Sequence, residues 1–254
     1  MPAKKYIQSI ERAGAVLNCF SERKTQLKLV EIAQQLGLGK STVHGIVDTL
    51  THLSLLDQDP VTSQYRLGTA NIRYGELAKA SIDVIAIARP QLEWLCDQVN
   101  ETVHLAQLSG QEVVYIDKVE TSQSMRIATA RGSRNPAFCT GVGKAMLAYV
   151  PEADLEPLFA SERPARTAQT ITERGALLDE FARIRRQGYA TDRDEIEVGL
   201  SCLAIPIREH DGTVRYAMSI SGPSVRMTEA RVPQLLERLR YAVRQVEKQL
   251  GVTA

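Results

Sequence analysis

The chain has 254 residues, 44% of them hydrophobic and 24% charged, with a formal net charge of +1. This is ordinary globular composition, long enough for one large domain or two smaller ones. The near-neutral balance excludes a broad basic field, so any contact with nucleic acid must come from a few placed residues and from two copies of the binding domain.

Residues 1–68 hold eight Lys/Arg against six Asp/Glu, a mild local excess. After Lys4 and Lys5, a first helix is expected, with Ser9 as its cap and Ile10, Ala13, Leu17 and Phe20 as its buried stripe. Leu29, Ile32, Ala33 and Leu36 recur at helical spacing; Gly37 stops that helix and Leu38 plugs the turn. Gly39-Lys40-Ser41-Thr42 opens a further helix, with Val43, Ile46, Val47, Leu50 and Leu53 on its inner face. Two short helices joined by a Gly-containing turn signal a helix-turn-helix. The outer face carries Lys40, Ser41, Thr42, His44, Gly45, Asp48 and Thr49, mostly side chains able to bond a base edge or a phosphate. An ordinary amphipathic helix pair with a solvated face is the alternative. Leu55-Leu56-Asp57 and Gln64-Tyr65-Arg66-Leu67 flank Asp59-Pro60 and predict a hairpin ending at Gly68. Three helices followed by a hairpin make a winged helix-turn-helix, in which the second helix of the pair enters the major groove and the hairpin reaches phosphate or minor groove.

Thr69 to Ser81 is expected to be a connecting helix, and Ile82 to Asn100 continues helical, with Pro90 starting a new helix or kinking this one. The period then changes to two. Thr102 to Leu108, Glu112 to Lys118 and Met125 to Ala128 are predicted strands; Gly141 to Tyr149, Glu152 to Ala160 and Glu173 to Gln187 are predicted helices. Cys202 to Arg208 and Val214 to Ser221 form a hairpin around His210-Asp211-Gly212, and Thr228 to Leu250 closes the chain as a helix. Hairpins with helices before, between and after them define an α+β fold. The expected divisions are 1–68, a linker helix 69–84, and 85–254.

Cys19, Cys96, Cys139 and Cys202 are scattered, with no CxxC pair and no zinc spacing. No cofactor or metal is expected. Residues 1–14 lack a leader's apolar core, and no run approaches the roughly 20 apolar residues of a membrane helix, so a cytoplasmic protein with reduced thiols and no membrane partner is expected.

The chain resembles the IclR family of bacterial transcriptional regulators over nearly its whole length. The resemblance rests on Leu29–Leu36 with Lys40-Ser41-Thr42-Val43-His44, Tyr65-Arg66-Leu67-Gly68, Glu101-Thr102-Val103, Val114-Tyr115-Ile116-Asp117 and Cys139-Thr140-Gly141-Val142-Gly143-Lys144-Ala145. Gly188-Tyr189-Ala190, Asp194-Glu195, Gly199, Cys202-Leu203-Ala204 and Ser219-Ile220-Ser221-Gly222-Pro223 complete it. It implies an N-terminal winged helix-turn-helix, a helical linker, a C-terminal GAF-like/profilin-like effector-binding domain, and a homodimer or dimer-of-dimers tetramer. It implies no enzymatic activity. Its partners would be double-stranded operator DNA and a small organic-acid effector, and its action most often repression.

On this basis Lys40, Ser41, Thr42, His44 and Gly45 are the expected DNA-facing positions of the recognition helix, with Lys4, Lys5 and Arg66 as phosphate contacts. The family usually has arginine where this chain has Gly45, and Arg is the commonest reader of guanine, so the operator sequence does not carry over. Close approach to DNA and simple drift both account for that glycine. The resemblance further implies an effector pocket lined by Gly141, Val142, Asp192, Cys202, Ser219 and Ser221; Val142 stands where a smaller residue also occurs. Ser124, Ile127 and Asn135 would form its specificity wall, and the polarity of Ser124 and Asn135 points to a hydroxylated or aromatic acid. Amides at a helix start attract anions, and period two places Ser219 and Ser221 on one strand face, with Cys202 roughly opposite. For the serines, a satisfied strand face is the alternative; for Cys202, a buried structural thiol; for Asp192, a surface carboxylate.

Other functions are weighed against this. Gly141-Val142-Gly143-Lys144 resembles part of a P-loop, but Phe138 and Ala145 stand where the full pattern needs Gly and Ser/Thr. A cysteine-dependent hydrolase acting on a small molecule would need Cys139 or Cys202 within reach of a base such as His104. A winged helix that docks protein rather than DNA is opposed by the Lys40–His44 helix start and the Lys4/Lys5 arm.

Overall fold

The computed structural model describes residues 6–252, apart from 22, 23, 82, 126 and 128. The chain divides into two compact units, Met1–Ile82 and Asp83–Ala254.

In the first unit, α1 (Gln8–Leu17), α2 (Leu29–Leu36) and α3 (Lys40–His52) precede a two-stranded antiparallel hairpin of β1 (Leu56–Gln58) and β2 (Tyr65–Leu67). Val16, Leu27, Ile32, Val43, Val47, Leu50, Leu56 and Tyr65 form its core. Gly37 closes α2 with φ +62°, the left-handed conformation that glycine adopts without a Cβ penalty. Leu27 exchanges backbone hydrogen bonds with Tyr65 at 2.9 and 2.7 Å, tying the chain before α2 to the hairpin. Gly68 ends the hairpin so close to α3 that a Cβ there would lie 2.2 Å from the Ser54 carbonyl oxygen. Three expectations fail locally. Ile7, not Ser9, precedes the first turn of α1, and Ile10 is exposed, because the burial of α1 centres on Val16. Leu53 is also exposed, at the C-cap of α3. Next comes α4 (Ala70–Ser81), whose Ile72, Tyr74 and Leu77 are exposed.

The second unit opens with α5 (Val84–Val99). Asp83 caps it by accepting from the amides of Ile85 and Ala86 at 3.0 and 3.2 Å, and Pro90 is accommodated inside the helix. There follow β3 (Thr102–Ser109), β4 (Glu112–Val119), β5 (Arg134–Pro136), α6 (Gly141–Leu147), α7 (Glu156–Ala160), α8 (Arg174–Gln187), β6 (Ala190–Arg193), β7 (Leu200–Arg208), β8 (Val214–Pro223) and α9 (Val232–Gln249). The six strands form one antiparallel sheet in the order β5-β4-β3-β8-β7-β6. The third strand is Arg134–Pro136 rather than Met125–Ala128. Met125 and Ile127 lie in irregular chain, and Arg126 and Ala128 fall outside the described residues. The short strand β6 has no period long enough to announce it in sequence.

Strand alternation gives the sheet two different faces. Val103, Leu105, Leu203, Ile205, Ile207, Met218 and Ile220 pack against α5 and α9. The opposite face is built of small and polar residues: Ala106, Ala204, Ala217, Cys202, Ser219 and Ser221. That face receives α6, whose seven residues are all buried. A Cβ on Gly141 would sit 2.8 Å from Cys202 Sγ, and one on Gly143 2.1 Å from the Ala137 carbonyl oxygen. The second of these is a backbone atom and cannot step aside. Gly143→Ala should therefore cost about 1–3 kcal/mol or more and lower the melting temperature of the second unit by several degrees, measured by calorimetry.

Candidate functional site

Lys40, Ser41, Thr42, His44, Gly45, Asp48 and Thr49 are all exposed on α3, while Val43, Val47 and Leu50 are buried. The helix thus presents one polar stripe outward. The stripe is partly internally bonded: His44 Nδ1 lies 2.9 Å from Asp48 Oδ2, and the Thr49 hydroxyl donates to the Gly45 carbonyl at 2.8 Å. Arg66 is half exposed on the hairpin and bonds Asp57 at 2.5 Å. At the hairpin turn the amides of Val61 and Thr62 each donate to Asp59 Oδ1 at 2.8 Å, which holds the Asp59 carboxyl below its usual range. Lys4 and Lys5 lie outside the described residues.

In the second unit a cavity of about 520 Å³ opens beside α6 over the polar face of the sheet. Register builds its floor. Asp192 of β6 pairs with Cys202 of β7, Cys202 with Ser221 of β8, and Ser221 with Thr102 of β3. One row further along, Ala204, Ser219 and His104 stand abreast. Gly141, Val142, Asp192, Cys202, Ser221, Ile127 and Asn135 all line the cavity. Ser219 does not; it is 1% exposed, beneath the wall, 3.4 Å from the Ser221 hydroxyl. Ser124 is exposed and lies outside the wall.

The cavity is polar, and burial favours the neutral forms of its inner titratable groups. Burial pushes the Asp192 carboxyl up to about 7, although it accepts the Glu195 amide at 2.8 Å. Cys202 is pushed up to about 12, again by burial, while hydrogen bonds from Ser221 and Ser219 pull the other way. Cys139 rises to about 12 for the same reason, so neither thiol forms the thiolate a hydrolase needs. Burial lowers the His104 imidazole to about 3. The amides of Gly141 and Val142, in the first turn of α6, have no acceptor within the helix, and Thr140 caps the next by accepting from Gly143 at 3.2 Å. Beneath this turn Lys144, 1% exposed, is bonded to Glu195 and lies 3.4 Å from Glu180, so the lysine of the P-loop-like stretch is an internal anchor for α6.

Sequence reasoning missed several lining residues, among them His104, Tyr115, Thr129 and Arg166. His104 and Tyr115 sit on predicted strands, but only the sheet register shows where they face: His104 stands abreast of Ser219 and Tyr115 abreast of Ala106, on the polar face. Arg166 comes from a loop with no periodic signal. The acidic run also separates: Asp192 faces the cavity, Asp194 accepts from Ser224 and the Gly199 amide, Glu195 meets Lys144, and Glu197 is at the exposed edge.

A winged helix-turn-helix with an exposed polar helix face, followed by an α+β unit with a polar cavity, is the architecture of a DNA-binding regulator that carries its own sensor domain. The model for the C-terminal part of IclR bacterial transcriptional regulators matches residues 77–248, and that for the IclR helix-turn-helix domain matches residues 9–60. The chain belongs to the IclR family. It is 35% identical over 249 residues to the HTH-type transcriptional regulator XynR of Escherichia coli K12, covering 98% of this chain and 99% of that protein. It is 31% identical to the transcriptional repressor IclR of the same organism, over 98% and 92% of the two chains. Among solved structures, an IclR-type regulator from Silicibacter sp. TM1040 superposes with a TM-score of 0.88 at 26% identity, covering 98% of both chains. These relatives are transcription regulators, not enzymes, and this chain is an IclR-type transcriptional regulator with a helix-turn-helix DNA-binding domain.

A Cβ added at Gly45 meets nothing within 4 Å, so packing within the chain does not demand glycine there. Gly45→Ala is expected to stabilise the first unit by about 0.5–1 kcal/mol, read as a rise in its melting temperature.

Proposed function

We propose that this regulator is a repressor that grips double-stranded operator DNA through α3 and the hairpin, and is switched by a small carboxylate-bearing metabolite held in the second unit. Lys40, Ser41, Thr42 and His44 are the base or phosphate contacts of α3; Lys4, Lys5 and Arg66 position the backbone without specifying sequence. A homodimer, or two dimers paired as a tetramer, reads half-sites about one helical turn, or a multiple, apart. Residues 1–68 form the DNA head, 69–84 the linker, 85–254 the sensor, and the protein works in the cytoplasm. The ligand has to bind one arrangement of the heads better than another, otherwise it shifts nothing. Coupling of this kind is typically about 1–3 kcal/mol, or roughly 5–150-fold in DNA affinity.

The observation that carries this reading is the cavity where the Gly141 and Val142 turn faces the Asp192–Cys202–Ser221 row. First-turn amides and a serine hydroxyl are uncharged donors suited to a carboxylate. Arg166 adds a cation at the wall. A salt-dependent gel shift on DNA upstream of the protein's own gene tests the head: binding should weaken steeply as salt rises and fall on Lys40→Ala. Binding that ignores salt and Lys40 would reject the assignment.

Asp192 gives the sensor a pH signature. With its carboxyl at about 7, the pocket accepts a ligand carboxylate best while Asp192 is protonated. Glu195, Lys144, Cys202, Cys139 and Tyr115 are charged or titratable groups around it. Affinity for the most stabilising acid of a thermal-shift screen should be flat below about pH 7. Above that it should fall, approaching tenfold per pH unit. In Asp192→Asn, titration calorimetry should show the same affinity at pH 6 and pH 8.

A further inference from the structure

Among the described residues, His104 is a lining side chain of the cavity whose hydrogen bonding is half complete. It is 2% exposed, and its Nε2 lies 2.7 Å from the Thr129 hydroxyl. Its Nδ1 is buried with no hydrogen-bond partner among the described residues. The ring packs against Tyr115, centroids 5.0 Å apart, and Tyr115 in turn bonds the Asn135 side chain. His104, Tyr115, Thr129 and Asn135 all line the cavity. A buried nitrogen left unpaired is unfavourable, and such a group calls for a partner that the described residues do not provide. The cavity is where that partner can enter.

We propose that His104 is a specificity-determining residue that reads a hydroxyl group of the effector through Nδ1, so that the ligand is a hydroxylated carboxylic acid rather than a plain aliphatic one. The reasoning is one of donor and acceptor matching. The Thr129 hydroxyl can donate to Nε2 or accept from it, so either tautomer of the neutral ring is satisfied on that side. Nδ1 is then an acceptor or a donor, and a hydroxyl answers both. A methylene answers neither and leaves the nitrogen buried and unpaired. The neighbouring Tyr115, Thr129 and Asn135 are likewise neutral groups that both donate and accept, which suits hydroxyls and offers no countercharge to a second carboxylate. The charged end of the ligand belongs instead to the α6 turn and Arg166, and in that respect the inference rests on the carboxylate reading above.

The test is titration calorimetry on the full chain with probes matched in chain length: D-gluconate against hexanoate, glycerate against propionate, and sorbitol as the hydroxylated, uncharged arm. The expected result is that a hydroxylated acid binds at least about tenfold more tightly than its plain counterpart. His104→Leu should erase that preference by weakening binding of the hydroxylated acid. His104→Asn, whose amide falls near the position of Nδ1, should keep the preference; His104→Gln, whose amide falls near Nε2, should lose it. That pair decides the matter if the leucine variant does not fold, with melting temperature as the check. Plain acids binding as well as hydroxylated ones, or a preference that survives in both the leucine and the glutamine variants, would overturn the role of His104 and leave the carboxylate reading standing. Sorbitol binding equal to gluconate, still lost in the glutamine variant, would overturn the carboxylate reading and leave the role of His104 standing. No binding by any probe would overturn both.

Discussion

The second unit depends on the close approach of α6 to the sheet. A seven-residue helix, buried at every position, lies on a sheet face that Ala106, Ala204 and Ala217 keep low, with Gly141 and Gly143 removing the Cβ atoms that would hold it off. Close packing leaves no slack for an added methyl group. The same approach brings the first-turn amides over the row of Asp192, Cys202 and Ser221. The glycines that make the helix fit therefore also make the site, and the pocket is a consequence of packing rather than an addition to it.

Buried charge secures the parts around this contact. Lys144 reaches back from α6 to Glu195 and Glu180, joining the helix to the loop after β6 and to α8. Glu101, fully buried at the start of β3, receives both Arg226 and Arg231 from the segment leading into α9. Asp117 of β4 takes Arg89 from α5 and Arg131. In each case a charge that would be costly alone is matched by a partner from a different element. These pairs contribute more to fixing which elements meet than to net stability, whereas the apolar face against α5 and α9 provides the hydrophobic stabilisation. The sheet divides the labour: one face holds the unit together, and the other is free to be polar.

The first unit follows the same logic at smaller scale. Nine buried residues suffice for three helices and a hairpin, and Val43, Val47 and Leu50 turn α3 inward, so its polar stripe is left to solvent. Because the fold uses only one side of α3, the other side is free to vary without structural penalty. Gly45 shows that freedom: a Cβ added there would meet nothing within 4 Å, so packing within the chain sets no side chain at that position.

Features that depend on local period and steric type could be read from the residues alone. The helix-turn-helix spacing, the strand pair Thr102–Leu108 and Glu112–Lys118, the Cys202 hairpin and the long last helix were all legible because each carries several turns or pleats of repeating pattern. The family motifs added Gly141, Val142, Asp192, Cys202 and Ser221, which the structure places around one cavity. Contacts in space settled the pieces too short or too irregular to have a period: strands β5 and β6, the positions of Ser124 and Ser219 outside the cavity lining, and the arrival of Arg166 and Thr129. His104 is the clearest case. Its place on a strand was plain, but its facing Ser219, its bond to Thr129 and its unpaired nitrogen exist only once strands distant in sequence are laid side by side, because burial and hydrogen-bond satisfaction are properties of neighbours in space.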